Sequence, residues 1–168
     1  MKRKKSFKVE KSYHAGEERQ YVTFFIMNDM YGVPVLKVQE IIGMTKITAV
    51  PDMLPFMKGV IDLRGVPVPV IDMRMKFDLE QAAYTNFTVI IIIEFRERLL
   101  GMIVDSVSDV LSAQIKNVRE TPSFEASINT TYIQGIGHKE GIFIIILDPD
   151  GILMADEFAM IYKCSDNV

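Results

Sequence analysis

The chain has no tryptophan, one cysteine (Cys164) and two histidines (His14 and His138). Each shortage removes a class of function. A single cysteine cannot form an internal disulfide framework and gives no sign of an oxidising compartment, so a cytoplasmic setting is expected. Neither histidine has a cysteine or carboxylate cluster at ligand spacing, so no metal and no cofactor are expected. No Gly-rich phosphate loop and no G-x-S-x-G is present, which leaves nucleotide and acyl-transfer enzymes without a foothold. Apolar runs are short: Thr88 to Ile93 stops at Glu94, and Ile142 to Leu147 stops at Asp148. Both fall far below the roughly 18 to 20 residues of a membrane-crossing helix. The opening Met1-Lys2-Arg3-Lys4-Lys5 has no apolar segment behind it and does not read as a secretory signal.

What is present is an ordinary globular composition, 49% apolar against 24% charged over 168 residues. That suffices for one sizeable domain or two small ones that share a core. Charge is unevenly placed. Residues 1 to 19 carry seven Lys/Arg against three Glu, whereas the whole chain is at −3, so the body is acidic. The basic stretch reads as a solvated, disordered tail. A nucleic-acid or anionic-membrane role competes with that reading, but the tail has little aromatic interleaving and the acidic body repels phosphate.

The clearest pattern is internal duplication. Gly59-Val60-Ile61-Asp62-Leu63-Arg64-Gly65-Val66 through Asp72 overlays Gly135-Ile136-Gly137-His138-Lys139-Glu140-Gly141-Ile142 through Asp148, from position 59 to position 135, an offset of 76. Gly32 to Ile41 overlays Gly101 to Val110 at an offset of 69, both reading G-x-x-V-x-x-V-x-acidic-aliphatic. The growth in offset places an insertion in the second copy, expected at Asn117 to Thr130, where turn formers gather.

In chain order, Gln20 to Met27 is an expected strand, followed by a turn at Asn28-Asp29 and a returning strand Tyr31 to Leu36 that Pro34 restricts to an edge or bulge. Val35 to Ile42 fits a helical turn or a bent strand, and Val50 to Phe56 a loop around a short helical turn. Gly59 to Asp72 is a hairpin turning at Leu63-Arg64-Gly65, where Gly65 takes positive φ at no steric cost and Arg64 is carried at the tip. Thr88 to Glu94 reads as a strand buried on both faces, with Arg96-Glu97-Arg98 turning the chain into Leu99 to Val104. A closing helix over 151–164 uses Met154, Phe158 and Ile161. The fold class is mainly β: small barrels, one per repeat, over roughly 20–85 and 86–150, packed against each other.

Asp72 and Asp148, one per repeat, are the only pair that tempts a catalytic reading. The active-site turns of aspartic proteases continue with a small hydroxyl residue and Gly, which neither Asp72-Met73-Arg74 nor Asp148-Pro149-Asp150 provides. Each Asp is expected instead to end a strand and cap the next turn. A calcium loop opening at Asp148 fails because its twelfth position is Ala159. No enzyme is expected. The eleven Met residues are core filler or the lining of an adaptable groove.

Leu36-Lys37-Val38-Gln39-Glu40-Ile41, Lys58-Gly59-Val60-Ile61-Asp62-Leu63-Arg64-Gly65, Val68 through Arg74 and Val104-Asp105-Ser106-Val107-Ser108-Asp109-Val110-Leu111 together resemble CheW, the family of bacterial chemotaxis coupling proteins. The resemblance runs collinearly from about Gln20 to Ile161. It implies two SH3-like five-stranded barrels around a shared hydrophobic interface, intertwined as subdomains of a CheW-like domain at 20–164. It also implies two partners, the cytoplasmic tip of chemoreceptors and the regulatory domain of the histidine kinase CheA. Val38, Glu40, Gly59 and Arg64 match positions tied to that coupling, Asp62 stands where the family commonly has Asn, and Val107 and Val110 match a groove-side segment. Core packing competes as the reading of the three valines, and a solvated turn as that of Arg64. An adaptor of another chemosensory array, such as one for type IV pili, shares this fold and differs only in its partners.

Overall fold

A computed structural model describes residues 6–7, 19–113, 115–116 and 132–166. In chain order the strands are β1 (Ser6–Phe7), β2 (Arg19–Ile26), β3 (Asp29–Pro34), β4 (Val38–Gly43), β5 (Met57–Leu63) and β6 (Val66–Asp72), followed by the short helix α1 (Met73–Lys76). Then come β7 (Val89–Phe95), β8 (Arg98–Val104), β9 (Ser106–Ala113), β10 (Ile115–Lys116), β11 (Ile133–Lys139), β12 (Ile142–Leu147) and the helix α2 (Ala155–Asp166). The β-branched runs form the strands, and two-residue turns at positive φ join them: Arg64 and Gly65, Arg96 and Glu97, Glu140 and Gly141. Such turns match the right-handed twist of the strands they connect.

One sheet runs β1-β4-β7-β8-β6-β5 and the other β10-β11-β12-β3-β2-β9. Each has five full strands plus a two-residue one. Because β10 follows β9 by one residue and pairs with β11, the second sheet closes on itself. The first closes through the Thr48–Val60 bridge, two backbone hydrogen bonds of 2.9 Å each. These are the two barrels the sequence led us to expect, but their membership is not contiguous. Hairpin β2–β3 from the first repeat completes the barrel of β9, β11 and β12, while β7–β8 from the second completes that of β4, β5 and β6. A division at residue 85 therefore separates the repeats without separating the barrels.

The duplication holds to the residue. Val38 faces Ile93 and Val107 faces Phe24, with a bulge just after each pair. Val70 faces Gly101 in the parallel β6–β8 pair, as Ile146 faces Gly32 in β12–β3. Asp72 and Asp148 both end strands and cap the next turn: Asp72 Oδ1 accepts from Arg74 N–H at 2.9 Å, and Asp148 Oδ1 from Asp150 N–H at 3.0 Å.

Side-chain alternation sorts the apolar residues into three cores. On β7, Ile90 and Ile92 point into the first barrel with Ile42, Ile61, Val68, Val70 and Ile103. Ile91 and Ile93 join the large cluster between the barrels, with Phe24, Tyr31, Val38, Ile71 and Leu147 among its members. All four isoleucines have 0% exposure, the two-faced burial expected of this strand. The second barrel is filled by Tyr21, Ala113, Ile144 and Ile146. Tyr21 stands where its repeat has Ile90, and its buried hydroxyl finds no partner among the described residues. Helix α2 closes the shared core with Phe158, Ile161 and Tyr162, the Tyr162 hydroxyl donating to Leu99 O at 2.9 Å.

Several expectations need correction. Pro34 is the last residue of β3, which lies inside its sheet between β12 and β2 rather than at an edge. Proline is tolerated there because the β12 ladder covers only residues 30–32. Val35–Lys37 is a 3-10 turn and β4 follows, so both readings of that stretch apply, to successive parts. Around Val50 to Phe56 there are turns but no helix. Met154 precedes α2 and is 58% exposed; the buried face is carried by Ile161, Tyr162 and Ser165. Ser6–Phe7, within the stretch expected to be unstructured, pairs with Ile41 and Ile42 of β4. Arg19, also in that stretch, begins β2; its other residues and the expected insertion at Asn117 to Thr130 lie outside the described residues.

Burial raises the phenols of Tyr31, to about 12, and of Tyr162. In the unfolded chain both ionise near 10, so stability is intact below pH 10 and falls as pH climbs from there toward the folded values. The expected loss is about 1.4 kcal/mol per pH unit for each of these two groups. Urea midpoints at pH 9 and pH 11 read it, and Tyr162→Phe should flatten the fall; an unchanged midpoint at pH 11 contradicts it.

Candidate functional site

The β5–β6 turn projects Arg64 from the first barrel. Asp62 Oδ1 accepts from Gly65 N–H at 2.6 Å and so fastens the turn from within. The carboxylate at this unusual position is thereby engaged with backbone and does not take the guanidinium. Arg64 Nη1 instead donates to Glu40, at 3.0 Å to Oε1 and 3.1 Å to Oε2. The Glu40 side chain is 6% exposed and that of Arg64 70%. One guanidinium nitrogen thus serves a sunken carboxylate while the remainder of the group is open to solvent. Glu40 reaches this place because the bulge between Val38 and Glu40 re-aims β4.

Gly59 sits at a second bulge, opposite Val70, with φ of 146°. A Cβ there would lie 2.1 Å from Thr48 O, the bridge that closes the first barrel. Its part is in the backbone that carries Asp62 and Arg64. Val38 is wholly buried in the shared core, and Val107 packs against the same core. Val110 is 43% exposed. The structure therefore gathers Glu40, Asp62 and Arg64 at one end of the first barrel, on a frame that depends on Gly59. It sets Val38 beneath them and leaves Val107 and Val110 on β9 of the second barrel.

The repeat exposes a difference. Glu40 and Arg64 have Asp109 and Glu140 as their counterparts, so the second barrel carries two exposed acids where the first carries an ion pair. Arg74 has Asp150 as its counterpart and so differs in sign too: Arg74 pairs with Asp105, whereas Asp150 lies 3.8 Å from Lys37, one residue past the counterpart of Asp105. Asp105 also accepts from Met27 N–H at 2.8 Å, tying α1, the β8–β9 junction and the β2–β3 turn together.

Sequence reasoning missed this knot, along with the pair of Lys76 and Glu157, 3.0 Å apart. The repeat offered a clue to Arg74, two residues past a capping Asp in the way that Asp150 is. A cavity of ≈130 Å³ is bounded by Asp72, Arg74, Tyr84 and Asp105. Its polar lining is already engaged: Tyr84 donates to Asp72 Oδ2 at 2.8 Å and Arg74 Nε to Asp105 at 2.8 Å. Among the described residues no group of His, Cys, Asp and Glu is arranged to hold a metal ion. What the site offers is a cation held in place by a sunken carboxylate at one end of the first barrel.

A family model described as the CheW-like domain matches residues 20–157. The chemotaxis protein CheW of Klebsiella aerogenes is 38% identical over 156 residues, covering 92% of each chain. That of Bacillus subtilis is 33% identical over 132 residues, covering 79% of this chain and 85% of its own. Among solved structures, the scaffolding protein TtCheW from Thermoanaerobacter tengcongensis superposes with a TM-score of 0.76 at 27% identity, covering 83% of this chain and 94% of that one.

Proposed function

This chain belongs to the CheW family of chemotaxis adaptors, and from that premise we propose that it couples the cytoplasmic tip of chemoreceptors to the regulatory domain of the histidine kinase CheA, turning over no substrate itself. The observation that carries the reading is the Glu40–Arg64 pair. A cation anchored from below by a sunken carboxylate is pre-oriented, and a partner that accepts from its free N–H groups need not order it on binding. Glu40, Asp62 and Arg64 supply orientation. Gly59 and Val38 hold the frame, and Val107 and Val110, on β9 of the second barrel, offer a separate apolar strip suited to the face of a receptor helix. No helix among the described residues is long and apolar enough to cross a membrane. We place the protein in the cytoplasm, at receptor arrays through its partners, without nucleic acid and without inserting into the bilayer.

The test is a titration of the full chain with a receptor cytoplasmic tip and, separately, with the kinase regulatory domain. Both should bind. Arg64→Glu should weaken at least one of them about tenfold, roughly 1.4 kcal/mol. Arg64→Lys keeps the charge but loses the planar geometry, and should fall between. Urea midpoints of each variant separate lost affinity from lost fold. If neither partner binds a folded chain, the adaptor serves a different array; if Arg64→Glu binds both normally, the turn is only solvated.

A further inference from the structure

The two barrels differ at one edge. Strand β4 is flanked on its outer side by β1, with Ser6 opposite Ile42 and Phe7 opposite Ile41. Its counterpart β9 pairs with β2 on one side; on the other, the barrel is closed only past its end, by β10 against β11, and along β9 itself no strand pairs there among the described residues. Ser108, Asp109 and Val110 there are exposed. The positions corresponding to Ile41 and Ile42 are Val110 and Leu111. We propose that this open edge of β9 takes the N-terminal segment of a second copy of the chain, added as an antiparallel strand at Val110–Leu111.

Backbone geometry supports an acceptor there. The Asp109 N–H and carbonyl are both engaged by Thr23 Oγ1 of β2, at 3.1 and 2.8 Å, so they face inward. Alternation turns the groups of Val110 outward. Its N–H is met by the carboxylate of Asp109 itself, Oδ1 at 2.7 Å, a self-made cap on an edge that no strand covers among the described residues. An incoming strand replaces that cap with a backbone carbonyl and releases the carboxylate, which then needs a cation. The segment flanking Ser6–Phe7 supplies several: Lys2, Arg3, Lys4, Lys5 and Lys8. Glu140, in the place that Arg64 holds in the first barrel, adds a second acid. The same segment already lies on the twin edge in the corresponding register. Backbone pairing gives the attachment, and charge selects a basic strand over any other extended peptide.

The experiment titrates the full chain with a fluorescent peptide copying Met1 to Glu10, with amide NMR to locate it. One peptide per chain should bind, shifting the amides of Val110 and Leu111, and affinity should fall as salt rises from 50 to 200 mM. Asp109→Lys combined with Glu140→Lys should weaken binding at least tenfold, and Asp109→Asn, which retains the local cap, should weaken it less. The chain alone should sediment with concentration-dependent association that vanishes when Lys2 to Lys5 are all changed to Glu. The proposal is overturned if the peptide fails to saturate at millimolar concentration, or if a version with Gln for every Lys and Arg binds equally well. It fails too if the shifts appear on β4 instead.

Discussion

Gly59→Val is expected to leave the chain largely unfolded at room temperature. The backbone at this position has φ of 146°, a region closed to branched residues, and the added Cβ would fall 2.1 Å from the Thr48 carbonyl oxygen. That carbonyl cannot retreat cheaply, because it accepts the 2.9 Å bond from Val60 N–H that closes the first barrel. Strain and the broken bridge together put the cost at about 4 kcal/mol or more, a large fraction of the ~5–15 kcal/mol that holds a domain together. Circular dichroism and urea midpoints decide it. A variant melting within two or three degrees of the parent would mean that the loop around Thr48 yields freely. Any loss of partner binding in an unfolded Gly59 variant is a loss of fold, which distinguishes Gly59 from Arg64 although both sit on one hairpin.

Lys76→Ala should produce the second large effect, localised at α2. Lys76 Nζ lies 3.0 and 3.3 Å from the two carboxylate oxygens of Glu157, 4.4 Å from the Phe56 ring centroid and 4.8 Å from that of Tyr132. The lysine side chain is 3% exposed and the glutamate 15%. Glu157 Oε1 also accepts from Met154 N–H at 2.9 Å, so the same carboxylate secures the entry to α2. Removing the ammonium leaves a nearly buried anion and an empty place between two rings, at about 3 kcal/mol. Amide exchange over Ala155–Asp166 should accelerate well before global unfolding. Glu157→Gln in the same chain should recover part of the loss, since it removes the stranded charge. Lys163→Ala, on the exposed side of α2, serves as the reference; equal shifts from both substitutions would show the buried pair to be inert.

How much of this could be read in advance depends on the kind of information each feature needs. The hairpin turns, the two-faced burial of β7 and the capping roles of Asp72 and Asp148 are local, set by Gly, β-branched runs and short acids, and they were legible. So was the duplication. The exchange of hairpins was not, because a repeat says which segments are alike and not which sheet each joins. A trace of it existed at Gly32 and Gly101, where a Cβ would meet Ile146 at 3.0 Å and Val70 at 3.1 Å across the parallel pairings. At the site, Glu40 and Arg64 were each legible in their motifs. That Asp62 would engage Gly65 N–H rather than Arg64 was not, because a difference of ångströms decides between them. Lys76 and Glu157 lie far apart in the chain and carry no local signature.

The exchanged hairpins also set a timetable for synthesis. Residues 30–32 of β3 have their parallel partners at 144–146, so the earliest hairpin made is completed by the last strand to emerge. At translation rates of ~5–20 residues per second, it waits on the order of ten seconds on the ribosome with its barrel unfinished. The first barrel also cannot close until β7 and β8 arrive to lie between β4 and β6. A nascent chain stalled near residue 85 would therefore hold two hairpins of different barrels and a complete set of neither, a form for chaperones to shelter.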